Sequence, residues 1–204
     1  MFNPVSTYRI QFHKDFTFRH FEKIIPYIAK LGISTVYASP IFKAVPGSTH
    51  GYDGTDPLQI NPEIGTLTQL KKISAKLKAK GINWIQDIVP NHLAYHPDNI
   101  WLMDLLEKGP KSAFKHYFEQ SLDDPKLFKG PIMVPFLGDD VDTVIDNGEL
   151  IIERIKGGKL MFSYAGNYWP LQEASYPDKK KSLVAVNEDK YLLKTIAAQQ
   201  HYRL

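Results

Sequence analysis

Residues 81–92 of this chain read GINWIQDIVPNH, and this stretch decides the fold class. The run from Ile82 to Val89 is largely apolar and rich in isoleucine, which is typical of a buried strand in a parallel sheet. Apolar residues at helical spacing precede it over 67–78, and Gly81 separates this helix from the strand. The order helix, glycine, strand predicts a crossover connection between parallel strands.

The same order of elements occurs upstream. A strand is predicted over Ser6–Phe12, followed by a helix over 18–31 that Gly32 ends, and then by a second strand over Ile33–Pro40. The segment 41–66, rich in Gly, Pro, Asp and His, is predicted to be a long loop at the carboxyl end of the second strand. Such loops usually carry function, so residues 1–98 are predicted to form three βα units with a functional edge.

The pattern changes after residue 98. A helix is predicted from Trp101 to Glu119, and a final helix is predicted around Leu192 and Ile196, running to Leu204. Between them, turn-forming Asn-Gly and Gly-Gly pairs separate short β-rich runs, which predicts a small antiparallel meander. The three runs are Thr143–Ile145, Glu149–Ile155 and Lys159–Tyr164. We therefore divide the rest of the chain into an inserted subdomain, 99–185, and a helix, 186–204, that leads toward a fourth strand.

The composition excludes several classes of protein. Hydrophobic residues make up 43% of the 204 residues, cysteine is absent, and 25 basic residues nearly balance 22 acidic ones. The balanced charge argues against a nucleic-acid partner, and no apolar run is long enough to cross a membrane. The lack of cysteine and of a secretory signal pattern predicts a cytoplasmic protein. A small molecule or a neutral polymer is left as the substrate.

Three polar residues stand at the end of the strand in 81–92. Asp87 lies near the end of the strand, and Asn91 and His92 follow shortly after it. In βα barrels the carboxyl ends of the strands carry the chemistry, and a carboxylate and an imidazole can both bind sugar hydroxyls. The structural alternative is a strand that simply ends in a Pro-Asn turn.

A second group lies in the long loop, over His50–Asp53. The ring of Tyr52 suits the apolar face of a pyranose, and its polar neighbours can supply hydrogen bonds. The alternative is a surface loop whose tyrosine covers its own core. His92 and His96 have the spacing of a zinc-binding pair, but no third ligand is evident, and one amide at Asn91 is far short of a calcium site. We therefore expect no metal and no cofactor.

Taken together, these motifs resemble glycoside hydrolase family 13, the α-amylase family. In that family a motif like 87–92 closes the third barrel strand, and a motif like 50–53 follows the second strand. Longer strings are similar to the family's maltooligosyltrehalose synthases, enzymes of trehalose biosynthesis. These strings are 7–12, 37–41, 46–53, 61–65, 134–138 and 200–204. The resemblance implies an α/β fold, the N-terminal part of a (β/α)8 barrel with an inserted, partly antiparallel subdomain.

The resemblance also implies a substrate, a maltooligosaccharide or another α-1,4-glucan. By motif it assigns substrate binding to Tyr52, Asp87 and His92, with His50, Asp53 and Asn91 as plausible neighbours.

The implied reaction converts the reducing-end α-1,4 bond to an α,α-1,1 bond by retaining intramolecular transglycosylation. By the family pattern the nucleophile and the acid/base would lie beyond Leu204. We therefore expect a truncated chain that is inactive and only marginally stable alone. Two alternatives stay open: a glucan-binding module without turnover, and plain α-glucan hydrolysis.

Overall fold

A computed structural model describes residues 3–118 and 132–204 of the chain. The chain divides into two compact units, Met1–Asp98 and Asn99–Leu204. Residues 186–204 belong to the second of these units. In the described part of the chain, no helix combines the length and the apolar character that crossing a bilayer requires.

The first unit is built on a parallel sheet. Strands β1 (Thr7–Ile10), β2 (Thr35–Ala38) and β5 (Asn83–Gln86) pair in the order β1-β2-β5, and both pairs are parallel. Helix α1 (Phe18–Lys30) lies in the chain between β1 and β2, and helix α2 (Leu67–Ala79) precedes β5. The predicted parallel strands and the helices between them are confirmed, although each strand is shorter than predicted.

Local capping and a shared core hold these helices in place. The Thr66 hydroxyl accepts a hydrogen bond from the Gln69 N–H at 3.2 Å, and the Gln69 side chain accepts one from the Thr66 N–H at 2.8 Å. This reciprocal capping box satisfies two donors that the first turn of α2 would leave unpaired. One apolar face of α1, with Phe21 and Ile25, is buried together with Ile73 and Leu77 of α2.

Each strand of this sheet has two different faces. Ile10 and Val36 belong to the core that contains the two helices. Successive side chains of a strand point to opposite faces, so the odd-numbered positions lie on the other side of the sheet. There Arg9, Tyr37 and Ile85 stand side by side in the parallel register.

The prediction of a long loop over 41–66 is wrong in part. This segment contains an antiparallel pair, β3 (Phe42–Ala44) and β4 (Gly54–Ile60), with irregular register. Pro57 and the polar residues around it disguise β4 as a loop in the sequence. A proline is compatible with a strand that has a free edge, and in the described residues β4 pairs with β3 alone.

The second unit has its own core. Its helices are α3 (Ile100–Lys108), α4 (Val141–Asp146), α5 (Leu183–Glu188) and α6 (Lys190–Ala198). Strands β7 (Ile151–Arg154), β8 (Leu160–Tyr164) and β9 (Asn167–Pro170) form an antiparallel sheet, and β6 (Ile132–Met133) pairs in parallel with β10 (Tyr202–Arg203). Phe162, Leu106 and Ile145 lie fully buried in this core.

Two helix predictions in this unit need correction. The helix predicted to reach Glu119 ends at Lys108, because Gly109 adopts a positive φ of 53° and a proline follows it. Glu119 itself lies outside the described residues. The helix predicted to run to Leu204 ends at Ala198, and the last residues form β10 instead.

The meander is present, but its strands differ from the prediction. Thr143–Ile145, predicted as a strand, lies in α4, where the Asp140 side chain caps the helix by accepting from the Thr143 N–H at 3.0 Å. The runs that contain β7 and β8 are confirmed. The third strand is β9, which the sequence pattern leaves in an irregular stretch, and Tyr202 is buried with its hydroxyl 2.7 Å from the Pro170 carbonyl oxygen.

Candidate functional site

A cluster of polar side chains lies at the carboxyl ends of the parallel strands. Arg9 and Tyr37 come from β1 and β2, and Asp87 stands two residues beyond Ile85. A spacing of two puts Asp87 on the same face as Arg9 and Tyr37. The fourth member, Tyr52, comes from the connection between β3 and β4, residues 45–53, which we name the site loop.

Asp87 joins these side chains through one oxygen. Its Oδ2 accepts a hydrogen bond from the Tyr52 hydroxyl at 2.5 Å and another from the Tyr37 hydroxyl at 3.0 Å. Among the described residues no hydrogen bond is made to Oδ1, which leaves this oxygen as a candidate acceptor for a ligand. The bond to the carboxylate, with desolvation second, raises the pKa of Tyr37 and keeps its proton on the phenol.

Arg9 gives the cluster a direction. Its Nη2 donates to the Tyr52 hydroxyl oxygen at 3.2 Å, and its guanidinium carbon lies 5.8 Å from the centre of the Tyr37 ring. An arginine can only donate and an ionised carboxylate can only accept. The Tyr52 hydroxyl therefore accepts a hydrogen bond from Arg9 and donates one to Asp87. The bond to Tyr52 is the main cause that raises the pKa of Arg9.

The site loop is also closed by bonds of its own. The Ser48 hydroxyl donates to Asp53 Oδ1 at 2.5 Å and accepts from the Gly51 N–H at 3.0 Å. Gly51 has a φ of +76°, and a β-carbon at this position would lie 2.7 Å from the Pro40 carbonyl oxygen. Only glycine fits both this backbone angle and the close approach to Pro40. The close approach places the neighbouring Tyr52 next to the end of β2.

The two histidines of the site present opposite hydrogen-bonding groups. Nδ1 of His50 accepts from the Tyr52 N–H at 3.0 Å, so a neutral His50 carries its proton on Nε2 as a donor. Nε2 of His92 lies 3.2 Å from the Tyr52 carbonyl oxygen, which can only accept. A neutral His92 therefore offers Nδ1 as an acceptor. The rings of His50 and Tyr52 are offset-stacked, 5.9 Å between centres.

The remaining predicted residues have less direct places. Asp53 is half-buried and is engaged with Ser48 inside the loop, so its contact is internal. Asn91 is exposed and makes no side-chain hydrogen bond with a described residue. His92 and His96 do not share a helix, because 92–96 is irregular. Among residues 3–118 and 132–204, no group of three histidine or carboxylate side chains is placed to hold a metal ion.

Arg9, Gln11 and Tyr37 belong to the network although sequence reasoning did not select them. Gln11 accepts from Arg9 Nη1 at 2.9 Å through its Oε1. A polar side chain at alternate positions of an otherwise core-facing strand is the signal that marks them. That signal has meaning only once the register between β1 and β2 is known.

A family model and several curated proteins match this chain. The model of the α-amylase catalytic domain matches residues 21–140. Over 148 residues the chain is 41% identical to a putative maltooligosyl trehalose synthase of Mycobacterium tuberculosis, covering 69% of this chain and 19% of that protein. Over 111 residues it is 46% identical to α-amylase 2 of Dictyoglomus thermophilum, covering 54% of this chain and 19% of that protein.

A solved structure extends the similarity to nearly the whole chain. The crystal structure of a maltooligosyl trehalose synthase superposes with a TM-score of 0.83 at 34% identity, covering 98% of this chain and 25% of that chain. This likeness includes both units. The chain spans about a fifth of the length of the curated relatives and about a quarter of the crystallised one.

Proposed function

This chain belongs to the α-amylase family, and from that premise we propose that it forms a sugar-binding wall of an enzyme that rearranges maltooligosaccharides. The enzyme would convert the reducing-end α-1,4 bond into an α,α-1,1 bond by retaining intramolecular transglycosylation. One observation carries the proposal: Arg9, Tyr52 and Asp87 form a directed network at the carboxyl ends of parallel strands. In barrel enzymes this edge is where substrate binds.

The groups of the wall match the groups of a pyranose. The half-buried ring of Tyr52 offers an apolar surface to the C–H groups of the sugar ring. Asp87 Oδ1 and His92 Nδ1 accept from sugar hydroxyls, and His50 Nε2 donates to one. A neutral α-glucan suits these groups better than an anionic ligand, which would meet the negative charge of Asp87.

The extent of the similarity favours the rearranging enzyme over a plain hydrolase. The sequence alignment covers 54% of this chain for α-amylase 2 and 69% for the putative maltooligosyl trehalose synthase, and the superposition on a solved maltooligosyl trehalose synthase covers 98% of it. The second unit is thus part of what this chain shares with the rearranging enzyme. Rearrangement also requires that water is kept from the glycosyl intermediate, so that a sugar hydroxyl takes the glycosyl group.

We assign Asp87 to sugar binding and not to the chemical step. A retaining reaction needs two carboxyl groups roughly 5–5.5 Å apart, one as nucleophile and one as acid/base. Among the described residues, Asp87 is the one carboxylate that bonds to the Tyr52 hydroxyl, and its Oδ2 is bound by two phenols. The 204-residue chain alone is therefore expected to bind substrate without turning it over.

An exchange experiment tests the proposed reaction. This chain replaces the corresponding segment of the crystallised maltooligosyl trehalose synthase, and the chimera is incubated with maltopentaose. We expect a trehalose-ended, non-reducing product, and loss of that product when Tyr52→Ala is introduced. A folded chimera that releases glucose or shorter maltooligosaccharides instead would support plain hydrolysis.

Binding by the chain itself is a second, separable function, because the proposed binding groups all lie in the first unit. Maltopentaose is titrated into the ¹⁵N-labelled chain. We expect shifts at the amides of Tyr52, Asp87 and His92, and none with the matched variant Tyr52→Ala. A titration that leaves these amides unmoved at millimolar sugar contradicts binding by the isolated chain.

A further inference from the structure

Two exposed side chains reach the site loop at two points: Arg9 lies in β1, and Gln11 follows one residue after the end of that strand. Arg9 Nη2 donates to the Tyr52 hydroxyl at 3.2 Å. Two positions along the chain, Gln11 Nε2 donates to the Thr49 carbonyl oxygen at 2.9 Å. The two contacts are made to loop residues that are three positions apart. One contact is to the backbone of Thr49, and the other is to the side-chain hydroxyl of Tyr52.

The two side chains also fix each other. Arg9 Nη1 donates to Gln11 Oε1 at 2.9 Å. Because arginine has no acceptor and the Thr49 carbonyl has no donor, the Gln11 amide has one orientation that satisfies both ends. The amide thereby links the guanidinium of Arg9 to the backbone of the loop.

The other hydrogen bonds of the site loop do not orient the Tyr52 side chain. Glu63 accepts from the Gly47 N–H at 3.0 Å, and Ser48 closes the turn through Asp53. These bonds hold the loop backbone and do not touch the phenol. The direction of the Tyr52 ring is set instead by its hydroxyl, which lies between Arg9 and Asp87.

We propose that Arg9 and Gln11 are positioning residues that fasten the site loop and hold the Tyr52 ring ready for a sugar. The sugar rests on the proposed function, whereas the fastening can be measured without it. Neither residue needs to touch the substrate. The proposal rests on the two-pronged guanidinium of Arg9, whose Nη1 and Nη2 donate to two different acceptors at once.

This geometry separates fastening from simple charge balance with Asp87. A lysine keeps the positive charge but offers one nitrogen on a flexible stem, which cannot hold both acceptors in the same arrangement. Arg9→Lys is therefore expected to behave like Arg9→Ala. Gln11→Glu keeps an acceptor for Arg9 but replaces the donor to Thr49 with an oxygen, so it breaks only the backbone contact.

The experiment measures amide hydrogen exchange of the 204-residue chain by NMR and then titrates maltopentaose. The matched control is Arg19→Ala, an exposed arginine on α1. We expect Arg9→Lys, Arg9→Ala and Gln11→Glu to speed exchange of the Gly51 and Tyr52 amides by about fivefold to tenfold, the size of one lost hydrogen bond. Buried amides of α1 should keep their rates, which reports that the variants are folded.

The titration gives the second readout. The dissociation constant for maltopentaose should rise about tenfold in the Arg9 and Gln11 variants and stay unchanged in Arg19→Ala, again the equivalent of one lost hydrogen bond. Unchanged loop exchange in all three variants would overturn the fastening, and full rescue by Arg9→Lys would reduce Arg9 to its charge. A looser loop with unchanged affinity would overturn the positioning role. If the unmodified chain binds no sugar, the proposed function fails, and exchange alone decides whether the fastening exists.

Discussion

One polar cluster in each unit shows two opposite uses of a polar side chain. In the first unit Arg9, Tyr52 and Asp87 bond to one another, side chain to side chain, and leave an oxygen of Asp87 open. In the second unit Asn187 accepts from the Ile152 N–H at 2.8 Å and donates to the Ile152 carbonyl at 3.0 Å, on the side of β7 where no strand of the described residues pairs with it. A polar group saturated by backbone supports the fold. A polar group held by other side chains, with capacity left over, is a candidate for binding.

The largest expected effect comes from the two cores. Phe162→Ala in the second unit and Phe21→Ala in the first each remove a fully buried ring and should lower the free energy of unfolding by about 3–5 kcal/mol. Because the cores are separate clusters, each variant should lose hydrogen-exchange protection mainly in its own unit. Equal losses in both units after either substitution would show that the two units unfold as one cooperative body.

A smaller effect should distinguish the two kinds of polar residue. Asn187→Ala leaves two backbone groups of Ile152 without their partner and should cost about 1–3 kcal/mol of unfolding free energy. Asp87→Ala should leave the denaturation midpoint nearly unchanged but abolish the maltopentaose-dependent shifts. Urea denaturation and NMR titration of both variants check this. If Asp87→Ala destabilises the chain as much as Asn187→Ala, the cluster is part of the scaffold.

The next effect concerns the close approach at Gly51. Gly51→Ala imposes a left-handed backbone on alanine, at about 1–2 kcal/mol, and also drives a β-carbon against the Pro40 carbonyl. Gly32→Ala is the matched control, because φ there is +73° and nothing lies within 4 Å of the added carbon. We expect Gly51→Ala to lose more stability than the control and to weaken sugar binding. Equal losses of thermal stability in the two variants would show that the contact with Pro40 adds no cost beyond the backbone angle.

The smallest effect is a difference in acid sensitivity. Burial lowers the pKa of His201 below its usual 6.5, so the unfolded chain binds more protons and the stability from this residue falls as pH drops below that value. Bonds from Lys76 and Lys72 lower the pKa of Glu22, so its contribution is complete above about 4.5 and is lost as pH falls further.

The second unit should therefore weaken first on acidification. Denaturation at pH 7.5, 5.5 and 4 checks this order. His201→Gln should flatten the change between pH 7.5 and 5.5, and Glu22→Gln the change below pH 5. A wild-type profile that is level down to pH 5, with His201→Gln identical to it, would contradict the role of His201.

Except for β3 and β4, the first unit was predictable because its signals are local. Apolar spacing and a closing glycine fix α1, α2 and the strands after them within a few residues. The second unit was less so, since the β-branched residues of Thr143–Ile145 favour a strand. The cap at Asp140 and the buried positions of Val144 and Ile145 stabilise a helix there instead.

The candidate site divides along the same line. Tyr52, Asp87 and His92 stand out by type and by position at strand ends. Arg9 and Tyr37 become partners only through the register of β1 against β2, and this register is a relation between segments about 28 residues apart. The tautomers of the two histidines likewise depend on the Tyr52 backbone, which no pattern within the motif reveals.

The two-faced strands have a consequence for how such a protein can change. Even-numbered residues such as Ile10 and Val36 maintain the core, while the odd-numbered Arg9 and Tyr37 belong to the site. Substitutions at Arg9 and Tyr37 are therefore expected to change recognition more than stability. The insertion or deletion of one residue in β1 would exchange the two faces and put a guanidinium into the core. Single substitutions on the site face of β1 are therefore expected to change mainly specificity, whereas a change in the length of β1 is expected to impair folding and binding together.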